Sequence, residues 1–203
     1  MKSENALEDI RLIKEMIEQT KRSNATYGGY FIGWGILVII AVLVNYALIY
    51  WQRFNLIWVD WIVFMGIGTI VSIFDSKKKA ERERVRTYTA KALSHLWAGC
   101  GIAFILVGFI FPLLGLYSYE AIPALVSLVA GVGMFVSGGM YEWPLLKWAG
   151  VVWWLGSIGL VFAHGLLQAL LLCLLVLAGY LYPGIRLNLL YRKEGERHAT
   201  ENA

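Results

Sequence analysis

Polar and apolar positions separate into blocks along this chain. Residues 4–22 come first, with Ala6, Ile10, Ile13, Ile17 and Thr20 recurring at three- and four-residue steps and Met16 beside them. That spacing predicts an amphipathic helix, within a segment spanning 1–26. Long apolar runs follow at about 28–51, 56–74, 96–115 and 121–140. The last run, 145–182, holds 38 residues with Lys147 as its only formal charge. A membrane span needs about 20 apolar residues, so this run predicts two spans. Their break is expected at Ala163-His164-Gly165, where a glycine can take the positive φ of a tight turn. The pattern therefore predicts an all-α membrane protein: six transmembrane helices in three hairpins over 27–182, preceded by the amphipathic helix and followed by a polar tail, 183–203.

Smaller signals refine these elements. Gly29-x-x-x-Gly33 in the first span and Gly68-x-x-x-Ser72 in the second are small-xxx-small patterns that allow close helix approach. Val85, Tyr88, Ala92 and His95 share one stripe, so the third span should begin as a helix before it enters lipid. Pro112 should kink or end that span, because its ring removes a backbone bond. Pro183-Gly184-Ile185-Arg186 should close the sixth. Gly33-Trp34-Gly35, Trp97-Ala98-Gly99 and Trp148-Ala149-Gly150 open the odd spans alike, which could mark three serial hairpins. The preference of Trp for the headgroup level explains most of the pattern more simply. Trp153 and Trp154 lie deeper, and a belt does not account for them.

Composition agrees: 59% of residues are apolar and 16% charged, against roughly 45–50% and about 25% in soluble domains. The charge distribution adds orientation. Of 18 Lys and Arg, five lie before the first span, seven in the 75–94 loop, one is Lys147 and four follow the sixth span. The three opposite turns carry only Arg53. Basic loops stay in the cytoplasm, so both termini and the 75–94 loop are expected there. The net charge of +4 follows from this topology and does not call for nucleic acid. The polar, acidic opening has no apolar core and predicts no cleaved secretory signal.

Candidate chemistry is sparse. No phosphate-binding loop, dinucleotide fingerprint, HExxH or nucleophile elbow occurs, so the chain is not expected to be an enzyme. Cys100 and Cys173 lie in apolar runs without partners at metal spacing, and neither a metal nor another cofactor is expected. His95 and His164 belong to opposite ends of the spans, about 30 Å apart, too far to share a haem iron. Asp60 stands out, about 6 Å inside the second span by helical rise, with Asn45 about 9 Å in from the same side. An intramembrane carboxylate is costly and by default a functional candidate. The plainer alternative is a wetted interfacial residue capped by Trp58 and Trp61. Glu120, His164 and Gln168 share that outer level and can form a polar cluster with it. A second candidate surface is the apolar face of the first helix, Ile10, Ile13 and Ile17. With five acidic and four basic side chains, that helix lacks the cationic face of a lipid-adsorbed one and is expected to dock on protein.

The run Glu8-Asp-Ile-Arg-Leu-Ile-Lys-Glu-Met-Ile-Glu-Gln-Thr-Lys21, followed by Tyr-Phe-Ile-Gly-Trp-Gly, resembles small multi-span bacterial membrane proteins of unassigned function. The likeness covers about the first 35 residues. It implies a bacterial cytoplasmic membrane and transfers no activity. Two functional classes remain: a non-catalytic accessory or regulatory subunit presenting helical cytoplasmic surfaces, or a small oligomeric transporter or channel. The expected partners are membrane lipid and either a second copy or another protein.

Overall fold

The computed structural model describes residues 28–82 and 88–190, with side chains from 78 to 88 left aside. The predicted amphipathic helix and the last thirteen residues lie outside this set. The described residues are helical throughout, apart from short turns, and contain no strand. Six helices are long and apolar enough to cross a membrane: α1 (Gly28–Tyr50), α2 (Phe54–Lys77), α3 (Thr89–Leu113), α4 (Tyr119–Met140), α5 (Pro144–Phe162) and α6 (Gly165–Leu190).

The turns follow from local chemistry. α1, α3 and α4 each end on a residue with positive φ, at Gln52 (56°), Gly115 (72°) and Glu142 (53°). In each, the next amide reaches back five residues, as Arg53 N to Leu48 O at 2.8 Å, Leu116 N to Phe111 O at 3.1 Å and Trp143 N to Gly138 O at 2.8 Å. These bonds satisfy carbonyls that a helix end would otherwise leave bare. Pro123 and Pro144 sit in first turns, where a missing N–H costs nothing. The break between α5 and α6 falls at Ala163-His164, and Gly165 has φ +55°, as its position predicted.

Three expectations need correction. The 75–94 segment is not a loop throughout: the second helix runs on to Arg82, while the third begins at Tyr88, ahead of its apolar run, as the stripe through Tyr88, Ala92 and His95 predicted. Its Lys, Glu, Arg and Ala residues are good helix formers, so a charged composition did not mean a loop. Pro183 does not close α6, which continues to Leu190. The helix accommodates the ring by a π-helical turn over Leu177–Leu181. Pro112 is likewise preceded by a π turn, Leu106–Ile110. Among the described residues Gly29 and Gly33 meet no other helix: a Cβ on either would find nothing within 4 Å.

The close contacts lie elsewhere. A Cβ at Gly150 would stand 2.8 Å from the Phe135 nitrogen and 2.9 Å from the Gly131 carbonyl oxygen. One at Gly138 would stand 2.5 Å from the Lys147 nitrogen. α4 and α5 thus meet backbone on backbone, and they are the two most enclosed helices. Around them a buried core gathers Phe31, Ala130, Met134, Leu146, Trp153, Leu160, Val176 and Tyr180. α1 closes on α6 through Gly28 and Gly184, each glycine lying 2.9 Å from the other's carbonyl oxygen by the same construction. The outward faces carry large exposed apolar side chains such as Leu43, Ile62, Ile102 and Leu155. On a soluble protein that surface would aggregate, whereas in lipid it is the solvated one.

Candidate functional site

The tryptophans bind helix to helix. The Trp34 ring lies over Gly68, where a Cβ would be 2.7 Å from it, and its indole N–H donates to Ser72 Oγ at 3.1 Å. Gly68-x-x-x-Ser72 is therefore a contact site, as its spacing suggested, but for a ring rather than a backbone. α3 and α4 repeat the device. Trp97 lies over Gly133 (2.9 Å to a Cβ there) and donates to Ser137 Oγ at 3.2 Å. Ser137 in turn donates to the Gly133 carbonyl at 2.6 Å. Trp154, too deep for a headgroup belt, covers Gly131 and donates to the Leu128 carbonyl at 3.2 Å. Ser157 donates to the Ala124 carbonyl at 2.7 Å. Trp148, by contrast, is exposed.

Against that background Asp60 is an exception. It is 6% exposed, and neither carboxylate oxygen has a hydrogen-bond partner among the described residues. The bond to half-buried Asn45 that their similar depth suggested does not form. Asp60 is covered by protein, at a level the sequence placed near the outer interface. Trp58 packs on Phe109 of α3 (centroids 5.8 Å apart) and edge-on to Tyr119 of α4 (5.3 Å). Burial of an unpaired carboxylate normally costs several kcal/mol, roughly 2–7 even for a neutral polar group. Among the described residues, two other buried side-chain polar atoms lack partners, Ser127 Oγ and Trp153 Nε1.

The outer cluster expected from sequence does assemble, without Asp60 shown in it. His164 Nε2 lies 3.8 Å from Glu120 Oε2, with both side chains about two-thirds exposed, 67% and 69%. Gln168 Nε2 donates to the Glu120 backbone oxygen at 2.8 Å and to the Leu160 carbonyl at 3.2 Å. Gln168 therefore joins the start of α4 to the end of α5. An ion pair this exposed contributes about 0–1 kcal/mol, so the cluster is a clasp between turns rather than a stability element. Nearby, the Tyr117 hydroxyl donates to the Val107 carbonyl, and burial pushes its phenol above the ordinary value, so it remains a donor at physiological pH.

Cys100 and Cys173 are free thiols, one buried and one half-buried. Ile10, Ile13 and Ile17 lie outside the described residues. No family model, curated protein or solved structure matches this chain.

Proposed function

We propose that the protein is a non-catalytic integral membrane protein, an accessory or regulatory subunit whose six spans anchor helical surfaces for a partner. The observation that supports this reading best is how the polar groups inside the spans are used. Trp34, Trp97, Trp154, Ser137 and Ser157 all bond to helix backbone or to a side chain on a neighbouring span. In a bilayer such groups hold helices together. What remains available for recognition is charge and amphipathic helix at one end. Seventeen of the 18 Lys and Arg lie on the side that bears both termini and the 75–94 segment. By the positive-inside rule that side is the cytoplasmic one, and the resemblance of the first 35 residues implies that the membrane is a bacterial inner one. The spans run as three hairpins, and the helix of residues 1–26 docks its Ile10, Ile13 and Ile17 face on protein.

The test uses the full-length protein in its own membrane. A photo-crosslinking side chain at position 10 or 17 should give one discrete protein adduct, and Ile13→Asp should abolish it while insertion is unchanged. A synthetic 1–24 peptide that binds anionic vesicles in a salt-sensitive way would instead make the segment a lipid anchor and refute docking.

One observation favours a second reading, a small oligomeric transporter or channel: the buried, unpartnered Asp60. A carboxylate kept in a span without a protein partner suits a proton or cation site. Proteoliposomes would then show a proton or sodium flux that Asp60→Asn removes. An absence of flux in the wild type would leave the accessory reading standing.

A further inference from the structure

The excess positive charge of the chain sits in one place. Residues 75–94 hold seven Lys and Arg against Asp75, Glu81 and Glu83, a balance of +4 that equals the net charge of the whole chain. Residues 1–26 hold five basic and five acidic side chains, and 183–203 hold four and three. Topology does not account for the difference. The positive-inside rule counts Lys and Arg, and acidic residues weigh little in it. Both terminal segments meet that rule while staying almost neutral, so the unbalanced charge of 75–94 answers to something else.

The height of that charge above the apolar layer says what. Gly28 of α1 meets Gly184 of α6 at this end of the bundle. Trp34, further into α1, covers Gly68 and bonds Ser72 of the antiparallel α2. The α2 residues level with Gly28 therefore lie about six residues past that contact, near 74–78, where the apolar run ends. Arg186, the first charge on α6, follows Gly184 closely. Helix contacts and first charges thus mark one boundary. The second helix does not stop there: it continues to Arg82, and the third is already helical from Tyr88, ahead of Leu96. By helical rise, Lys77, Lys78 and Lys79 stand about 4–8 Å beyond Phe74, and Lys91 about 8 Å beyond Leu96. The headgroup layer of one leaflet is about 5–8 Å deep. Four cations are therefore carried on helix at the height of lipid phosphates, and Lys77 and Lys91 are both exposed. We propose that the 75–94 segment is a binding surface for anionic phospholipid headgroups, with Lys77, Lys78, Lys79 and Lys91 at the phosphates. Basic residues clustered directly past a span are drawn to such headgroups, an attraction that salt screens. The inference goes beyond the accessory reading, since it gives this charge to lipid and leaves the apolar face of 1–26 for protein.

Spin-labelled lipids test the surface on the full-length protein. In phosphatidylcholine bilayers, the motionally restricted fraction of a trace labelled lipid reports its preference for the protein, whichever way the protein is inserted. At low salt, labelled phosphatidylglycerol should be preferred over labelled phosphatidylcholine by about threefold or more, and high salt should remove most of that preference. The combined Lys77→Gln, Lys78→Gln and Lys79→Gln variant should lose most of it too. Arginine at the same three positions should keep it, which separates charge from any effect on folding. Arg192→Gln with Lys193→Gln, in the C-terminal tail, should also leave it unchanged. No preference in the wild type overturns the assignment and leaves the charge for an acidic protein partner. A preference that survives the triple glutamine variant, or that disappears with the tail variant, overturns it as well.

Discussion

Gly150→Leu should separate α4 from α5 and leave little folded protein in mild detergent. The helices touch through backbone here, and a side chain at Gly150 meets the Phe135 nitrogen at 2.8 Å and the Gly131 oxygen at 2.9 Å. Neither atom can turn aside as a flexible side chain would, so the helices must part. Parting them also loosens Trp154, which covers Gly131, and its bond to the Leu128 carbonyl. Overpacking alone costs about 1–3 kcal/mol, and the lost contacts place this variant at or beyond the upper end. Gly139→Ala is the control. A Cβ there meets nothing within 4 Å, and alanine is favoured over glycine in a helix by about 1 kcal/mol. Thermal unfolding in detergent should show a large loss for the first and none for the second. Equal stability of Gly150→Leu and wild type would mean the α4–α5 contact is wrongly placed.

Substitution of Asp60 should act in the opposite direction. Its two oxygens are buried and bonded to nothing described, so the folded state bears a desolvation cost with no compensating bond. Asp60→Leu removes the cost and should stabilise the fold by about 1–3 kcal/mol, the usual penalty of an unsatisfied buried polar group. Asp60→Asn, which removes the charge but keeps polar atoms, should fall between leucine and wild type. A gain in stability on removing a residue is the mark of one retained for something other than folding. Destabilisation by both substitutions in reversible unfolding would show that Asp60 holds the fold together through a partner outside the described residues.

The sequence made the spans legible because lipid imposes a length and forbids charge. That rule located four of the five breaks to within a few residues, including Ala163-His164-Gly165. It also brought Glu120, His164 and Gln168 to one level, where they meet. Lateral arrangement was much less legible. On a soluble helix an apolar stripe marks the buried face, but in these spans both faces are apolar, so period alone does not say which side meets protein. Gly29 and Gly33 therefore looked like a contact and face outward, while Gly28 and Gly35 make the contacts with α6. The tryptophans misled for a related reason. Trp34 and Trp97 suit the headgroup level, yet each lies over a glycine of a neighbouring helix, as do Trp153 and Trp154, for which a belt did not account. Pro183 was read as a terminus because a proline usually ends a helix, whereas a π turn lets this one continue.

The measurement that bears most directly on the account is the topology of the full-length protein, mapped by reporters that distinguish the two sides of the membrane. Six spans with the basic segment in the cytoplasm predict that fusions after Gln52, Tyr117 and His164 report outside, and that those after Lys79 and Arg192 report inside. An outside signal at Lys79 would contradict the orientation, the grouping of both termini with the basic segment, and the partner-facing surface built on them.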